Sequence, residues 1–498
     1  YMPITHWTFL IACLAIAGIP PFSGFFSKDE ILAACFQYSP VMGWVMTVIA
    51  AMTAFYMFRL YYGIFWGKEN KELHAHHTPH ESPLAMTFPL MFLAVVTCGA
   101  GFIPFGHFIS SNGESYSIHL DPSVAITSVV IAIISIAIAT WMYKNAKQPV
   151  ADSLAKRFKG LHKAAYNRFY IDDIYQFITH KIIFRCISTP IAWFDRHVVD
   201  GFFDFLAWAT NTTSDEIRGL QSGQVAGLWA ARGIKAIRGV MVTGASALLI
   251  ASVVLTFLYL GERSAGNTAE MLFRADTLWY APLHISYSVG VDGISVAMLL
   301  LSAVIVFTGT FASWRLQPLT KEYFLWFTLL SMGVFGFFIS VDLFTMFMFY
   351  EIALIPMYLL IGVWGSGRKE YAAMKLTLML MGGSAFLLIG ILGIYFGSGA
   401  TTMNLLEIAQ LHNIPFAQQC IWFPLTFLGF GVLGALFPFH TWSPDGHASA
   451  PTAVSMLHAG VLMKLGGYGC FRIAMYLMPE AANELSWIFL ILTGISVV

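Results

Sequence analysis

Apolar runs of about twenty residues recur from one end of this chain to the other, and they leave little choice of fold. A run of that length crosses the ~30 Å hydrocarbon core of a bilayer as a helix. Such runs stand at Val41–Phe65, Leu84–Phe105, Val124–Tyr143, Val240–Leu260, Val289–Ala312, Phe324–Val341, Leu343–Val363, Met374–Phe396, Trp422–Phe439 and Val454–Met475. The expected fold class is all-α, a polytopic transmembrane helical bundle. With 57% hydrophobic and 11% charged residues, the chain is no soluble globular domain. Its formal charge is balanced, so nothing points to a nucleic-acid partner.

Two further runs are shorter. Phe9–Ile19 breaks at Pro20–Pro21 and resumes through FSGFFSKDEILAACF, and Leu485–Val498 ends after about fourteen residues, too few to cross. Residue 1 is Tyr and an apolar run follows almost at once, so the sequence reads as a fragment. Six cysteines (13, 35, 98, 186, 420, 470) sit mostly inside apolar runs without a CxxC pair. They read as buried thiols, with no disulfide framework and no iron–sulfur site. No glycine-rich nucleotide motif stands at a strand–helix junction, so no cofactor or metal is expected in this chain.

Basic residues set the orientation. Lys68 and Lys71, the stretch Lys144–Lys163, Arg232–Arg238, Arg315 and Lys321, and Arg368 and Lys369 all fall on one side of the predicted spans. The opposite loops, 106–122 and 398–420, contain no Lys or Arg. By the positive-inside rule the basic side is the cytoplasmic or matrix side.

The stretch Leu436–Tyr468 breaks the apolar pattern with His440, Asp445, His447, His458 and Lys464, and with Pro438, Pro444 and Pro451. Each proline removes a backbone donor and clashes one turn back. In lipid the freed carbonyls need a partner in protein or trapped water. A polar loop between two spans would explain Ser443–Ala450, but Lys464 lies between VSMLHAGVL and LGGYGCF. An ionisable group at that depth costs ~2.5 kcal/mol or more and marks a functional site. Glu351 is similarly placed, with about eight residues of span before it and twelve after. It must be neutral or paired across helices. Lys375, near the start of the following span, offers a structural Glu–Lys staple. Lys28, seven residues past Pro21, is either a cation at a helix break or one snorkelling from a helix end.

Residues 144–220 are richer in charge. Ile174, Phe177, Ile182, Cys186, Ile191, Phe194, Val198, Phe202 and Phe205 recur at helical spacing between Lys181, Arg185, Asp195, Arg196, Asp200 and Asp204. That two-faced pattern predicts a long lateral amphipathic helix on the membrane surface. Over residues 166–210 it would reach about 65 Å, with a kink at Pro190. Histidines 74, 76, 77 and 80 occupy a hydrophilic loop and read as solvated, without metal-ligand spacing.

At these residues the chain resembles the antiporter-like proton-pumping subunits of respiratory complex I (NADH:quinone oxidoreductase). AGIPPFSGFFSKDEIL, HHTPHESP, YNRFYIDDIYQFI and SGQV, within residues 1–225, are similar to the C-terminal part of subunit L. YSVGVDGIS, FYEIALIPMYLLIGVWG, LFPFHTWSPDGHASAPTA and AGVLMKLGGYG, within residues 236–498, are similar to the N-terminal half of subunit M. The resemblance implies broken helices and inverted repeats, and a division into 1–143, 144–225 (the lateral helix), 226–260 (a junction and one span) and 261–498. It also implies a place in the cell inner membrane or its equivalent, among other membrane subunits of complex I. NADH, FMN, iron–sulfur clusters and quinone would belong to those partners.

By position, the resemblance makes Lys28 a terminal pumping lysine, Glu351 an essential glutamate, Lys464 a channel-connecting lysine, and His440 the histidine at the helix break. The sequence departs from the pattern at Leu433, where many relatives carry a lysine, and His458 is the candidate replacement. Three functions fit: a proton-translocating subunit of complex I, a subunit of a multi-subunit cation/proton antiporter moving H⁺ or Na⁺, and a pump-inactive structural clamp. The lateral helix favours the first.

Overall fold

The computed structural model describes residues 1–67, 79–103, 121–145, 149–170, 173–174, 177, 233–280, 284–411 and 413–497. They fall into two compact units, Tyr1–Ala151 with Met241–Val498, and Asp152–Val240. Among the described residues nine helices are long and apolar enough to cross a membrane.

In the larger unit, α1 (Pro3–Ala17) stops at Gly18, whose φ of 79° is a left-handed cap open to glycine without steric cost. The Pro20–Pro21 break follows, and α2 (Ser23–Tyr38) resumes beyond it. α3 (Pro40–Phe65), α4 (Leu84–Gly99) and α5 (Pro122–Tyr143) pack against this broken pair. The first turn of α1 is capped from a distance. Glu81 accepts from Ile4 N at 2.7 Å and from Thr5 Oγ1 at 2.7 Å, closing the chain over 76 residues. The Thr5 hydroxyl, then the backbone amides of Ile4, Thr5 and Ser82, hold the Glu81 carboxyl below its ordinary value. A depressed folded-state value means the contribution is complete above the unfolded value of about 4.3 and is lost as pH falls through the folded one. Glu81→Gln should therefore lower the thermal midpoint at pH 7, and the difference from wild type should shrink as both are acidified through that range.

The smaller unit contains α6 (Pro149–Arg157), which begins just before it, and α7 (Lys159–Tyr166). Phe169 and Tyr170 then take positive φ values of 54° and 59°. A lateral helix beginning at 166 is thereby corrected, since L residues with such φ cannot propagate a right-handed helix. The remainder of that predicted helix, with Ile182, Phe194 and Phe202, lies outside the described residues, as do His74, His76 and His77.

α8 (Gly233–Ser264) is longer than the run that predicted it. The segment read as a loop and the start of a span is instead a hairpin of β1 (Leu272–Tyr280) and β2 (Ile285–Val291), antiparallel with Leu272 opposite Val291. Its residues alternate too weakly to announce strands. The next span therefore starts at Gly293, where Asp292 caps α9 (Gly293–Ala312) by accepting from Ser295 N at 2.8 Å. α10 (Thr320–Ile339), α11 (Leu343–Trp364) and α12 (Lys369–Ser398) follow as predicted within a few residues. The hairpin joins the ends of these spans on the side opposite the basic loops: Val341 N donates to Ser288 O and Thr345 Oγ1 to Ser286 O at 2.9 Å.

After α13 (Leu405–Leu411), α14 (Phe416–Leu433) is itself one of the helices long and apolar enough to cross a membrane. Residues 434–441 are irregular, and α15 (Trp442–Ser449) follows. Pro444 falls in the first turn of α15, where no amide is needed, so it does not break the helix and Ser443–Ser449 is no loop. The return span is one helical rod in four parts: α16 (Thr452–Leu457), a π-helical stretch His458–Leu462, α17 (Met463–Gly469) and a second π stretch Cys470–Met475. α18 (Pro479–Glu484) and α19 (Ser486–Val497) end the fold. The thiols are not uniformly buried: Cys13 and Cys470 are, whereas Cys35, Cys98 and Cys420 are partly exposed and Cys186 lies outside the described residues. An apolar run fixes a side chain's depth in lipid and leaves open whether protein covers it.

Candidate functional site

The site is assembled around the broken helix α14–α15. At the break, the freed carbonyl of Val432 finds a donor in protein, since Trp442 Nε1 reaches it at 3.1 Å. That contact folds α15 back against the end of α14 and buries Trp442 completely. His440 lies half-buried within the break, its ring 5.7 Å from that of Phe437. Leu433, where the resemblance places a lysine, closes α14 at 1% exposure.

α15 carries two adjoining polar contacts. Asp445 accepts from Lys375 Nζ at 2.9 Å, tying α15 to α12 in a pair with side chains 12% and 18% exposed. Two residues on, the His447 ring stacks on that of His458 with centroids 4.3 Å apart, and Trp442 covers His458 at 5.2 Å. Gly446, between them, brings the backbone close: a Cβ there would meet His458 Cε1 at 3.7 Å and Leu376 Cδ1 at 3.0 Å. His458 is 0% exposed and neither of its ring nitrogens has a hydrogen-bond partner. His447 differs, with Nδ1 3.2 Å from Ser455 Oγ. Buried polar groups are nearly always bonded, so an unpartnered imidazole demands a reason.

His458 also opens the first π stretch. Wide turns of this kind inside α-helices concentrate at functional sites. Lys464, just beyond it, folds back and donates to Ala459 O at 2.7 Å. In this chain Lys464 is exposed on the outer face of the rod and makes no ion pair with Glu351.

Glu351 lies nine residues into α11, and Gly333 on α10 lets that helix approach, since a Cβ there would sit 2.9 Å from Phe349 O. Its Oε1 is buried without a partner. Ser384 on α12 is within hydrogen-bond reach of the carboxyl, while its hydroxyl donates to Met381 O at 3.0 Å. Ser384 is nine residues from Lys375, about 13 Å along α12. That separation is why Lys375 staples Asp445 rather than Glu351.

Lys28 sits apart from this group, on α2. Its stem runs over Gly18, where a Cβ would come within 2.9 Å of Lys28 Cδ, and its Nζ is buried without a partner. Asp29 beside it is 1% exposed with both oxygens unpartnered, a feature the KDE triplet hinted at without saying which residue faces inward.

A second polar cluster escaped sequence reading. Arg472, in the second π stretch, pairs with fully buried Asp292, lies 3.9 Å from Glu270, and has Tyr468 OH at 3.5 Å. Tyr468 OH is 2.9 Å from Ser295 Oγ, and Tyr476 OH donates to Glu270 at 2.5 Å. These contacts fasten the rod to the hairpin end of α9. The partners are 180 residues apart, a separation no local pattern reveals.

The family model described as "NADH:quinone oxidoreductase/Mrp antiporter, TM" matches residues 1–53 and 340–498. The second segment holds Glu351, Lys375, the helix break, His458 and Lys464; the first holds Lys28. The chain's likeness is to the antiporter-like membrane subunits of complex I. NADH-quinone oxidoreductase subunit M of Rickettsia conorii is 37% identical over 256 residues, 50% of this chain and 51% of that one. NAD(P)H-quinone oxidoreductase chain 4-2 of Synechocystis is 35% identical over 220 residues, 44% of this chain and 39% of that one. The chain thus spans about half or less of the curated relatives it matches. A chain of the Thermus thermophilus respiratory complex I structure with bound NADH aligns with TM-score 0.46 and 25% identity, over 51% of this chain and 52% of that one.

Proposed function

We propose that this chain moves protons across an energy-transducing membrane as a membrane subunit of an NADH:quinone oxidoreductase-type complex, with redox centres held by partner subunits. The observation that carries this reading is His458, fully buried with both ring nitrogens unpartnered and stacked on His447 beside a helix break. Buried polar groups are nearly always bonded, so an unpartnered imidazole at a helix break fits a group that changes partners as a proton passes. Lys375 with Asp445 would admit protons from the basic side, His447 and His458 would pass them past Trp442, and Glu351, Lys464 and Lys28 would carry them onward, with His440 lining the break.

In this reading His458 takes the place of the lysine missing at Leu433. His458→Leu should abolish proton uptake by vesicles containing the assembled complex, and adding Leu433→Lys should restore part of it. Equal uptake by the single and double variants would remove His458 from the relay. The matched family also includes cation/proton antiporters. Uptake that requires Na⁺ in the same vesicles would select that activity instead.

A further inference from the structure

A groove of about 380 Å³ opens between α3 and α5. Val48, Ala51 and Phe55 form one wall, and Ile131, Ser135 and Ile138 the other. The α3 residues recur at three- and four-residue spacing, so they share one face of that helix. Four residues past Phe55, the same face carries Arg59. Tyr143, at the end of α5, joins the groove to this cation. Its ring lies 6.0 Å from that of Phe55, and the Arg59 guanidinium stands 5.5 Å over it. Just beyond, where α3 ends, Lys144 Nζ stands 5.6 Å over the Trp66 ring. The groove thus runs from an apolar depth to two cations at the basic end of both helices.

Both cations are exposed, and neither has a carboxylate partner among the described residues. Arg59 stands well before the end of α3 at Phe65, about 9 Å inside it. An ionised side chain at that depth needs a partner to hold it. No Asp or Glu lines the groove. Basic sites between helices on the cytoplasmic or matrix side suit anionic lipid headgroups. We propose that the groove holds an acyl chain of an anionic phospholipid of the phosphatidylglycerol class, with its phosphate between Arg59 and Lys144. Their long stems let both heads converge on one phosphate. The rings of Tyr143 and Trp66 steady the two cations over the mouth of the groove. A choline lipid offers the same phosphate but sets a fixed positive charge beside it, against both cations.

The test is native mass spectrometry of the full-length chain, delipidated and then exposed to equimolar palmitoyl-oleoyl phosphatidylglycerol and phosphatidylcholine. Wild type should retain one phosphatidylglycerol that Arg59→Gln with Lys144→Gln loses. The affinity should differ by about thirtyfold, the scale for two cations beside an anionic headgroup. Both residues are exposed, so the double variant should fold as wild type does. Val48 is 56% exposed within the groove, so Val48→Trp should fill the space without disturbing the core, and should lose the lipid although both cations remain. Glycerol 3-phosphate, the headgroup chemistry without chains, should not be retained. A wild type that prefers phosphatidylcholine or holds neither lipid would overturn the proposal. So would unchanged phosphatidylglycerol retention in the double variant or in Val48→Trp, or glycerol 3-phosphate held as tightly as the lipid. None of these outcomes depends on whether the chain pumps protons.

Discussion

Glu351→Gln should cut proton translocation by about a hundredfold, the usual scale for losing a positioned proton carrier. The same variant should insert and assemble normally. The reason is local: Oε1 is buried without a partner, so an amide in its place forfeits no ion pair and removes a group that is costly to charge. Glu351→Asp keeps the titratable group but shortens it, and should retain part of the rate. The measurement is proton uptake into vesicles, normalised to assembled complex. Full uptake by Glu351→Gln would mean that protons pass elsewhere, leaving Glu351 as a buried polar relic.

The second large effect is on stability. Arg472→Met strands Asp292, whose side chain is 0% exposed, opposite an apolar group. Removing one partner of a buried pair typically costs about 3–5 kcal/mol. Denaturant titration of the full chain in lipid discs should show a loss of that order. Arg472→Met with Asp292→Asn should recover most of it, because Asn still caps α9 through Ser295 N but carries no charge. A double variant as unstable as the single would assign the loss to packing against Tyr468 and Tyr476.

Much of this was legible in the sequence, for physical reasons. Spans announce themselves because lipid demands length and apolarity together, and α3, α5, α11 and α12 begin within a few residues of their predicted starts or earlier. The break after Leu433 was signalled by Pro438. What stayed hidden was pairing. Lys375 and Asp445 are 70 residues apart, and nothing local distinguishes that partnership from one with Glu351. His447 was visible as one more polar residue in the broken stretch, but its stack on His458 depends on how α15 folds back. The hairpin was missed because Phe273, Leu278 and Trp279 are exposed, so β1 lacks a buried face to set a period of two. The π stretches have no compositional mark at all, since HAGVL and CFRIAM would serve equally well in an α-helix.

Those two wide turns have a consequence for anyone drawing this rod as a wheel. Each accommodates roughly one residue more than an α turn, and one residue is worth about 100° of rotation. The seven residues of α17 are therefore out of phase with α16 above and with Tyr476 below. A wheel drawn straight through from Thr452 assigns Lys464 to the wrong meridian. Deleting one residue between Ala459 and Leu462 would bring α17 back into step with α16. Every side chain from Lys464 to Gly469 would then face a different neighbour, although no residue in that segment had changed.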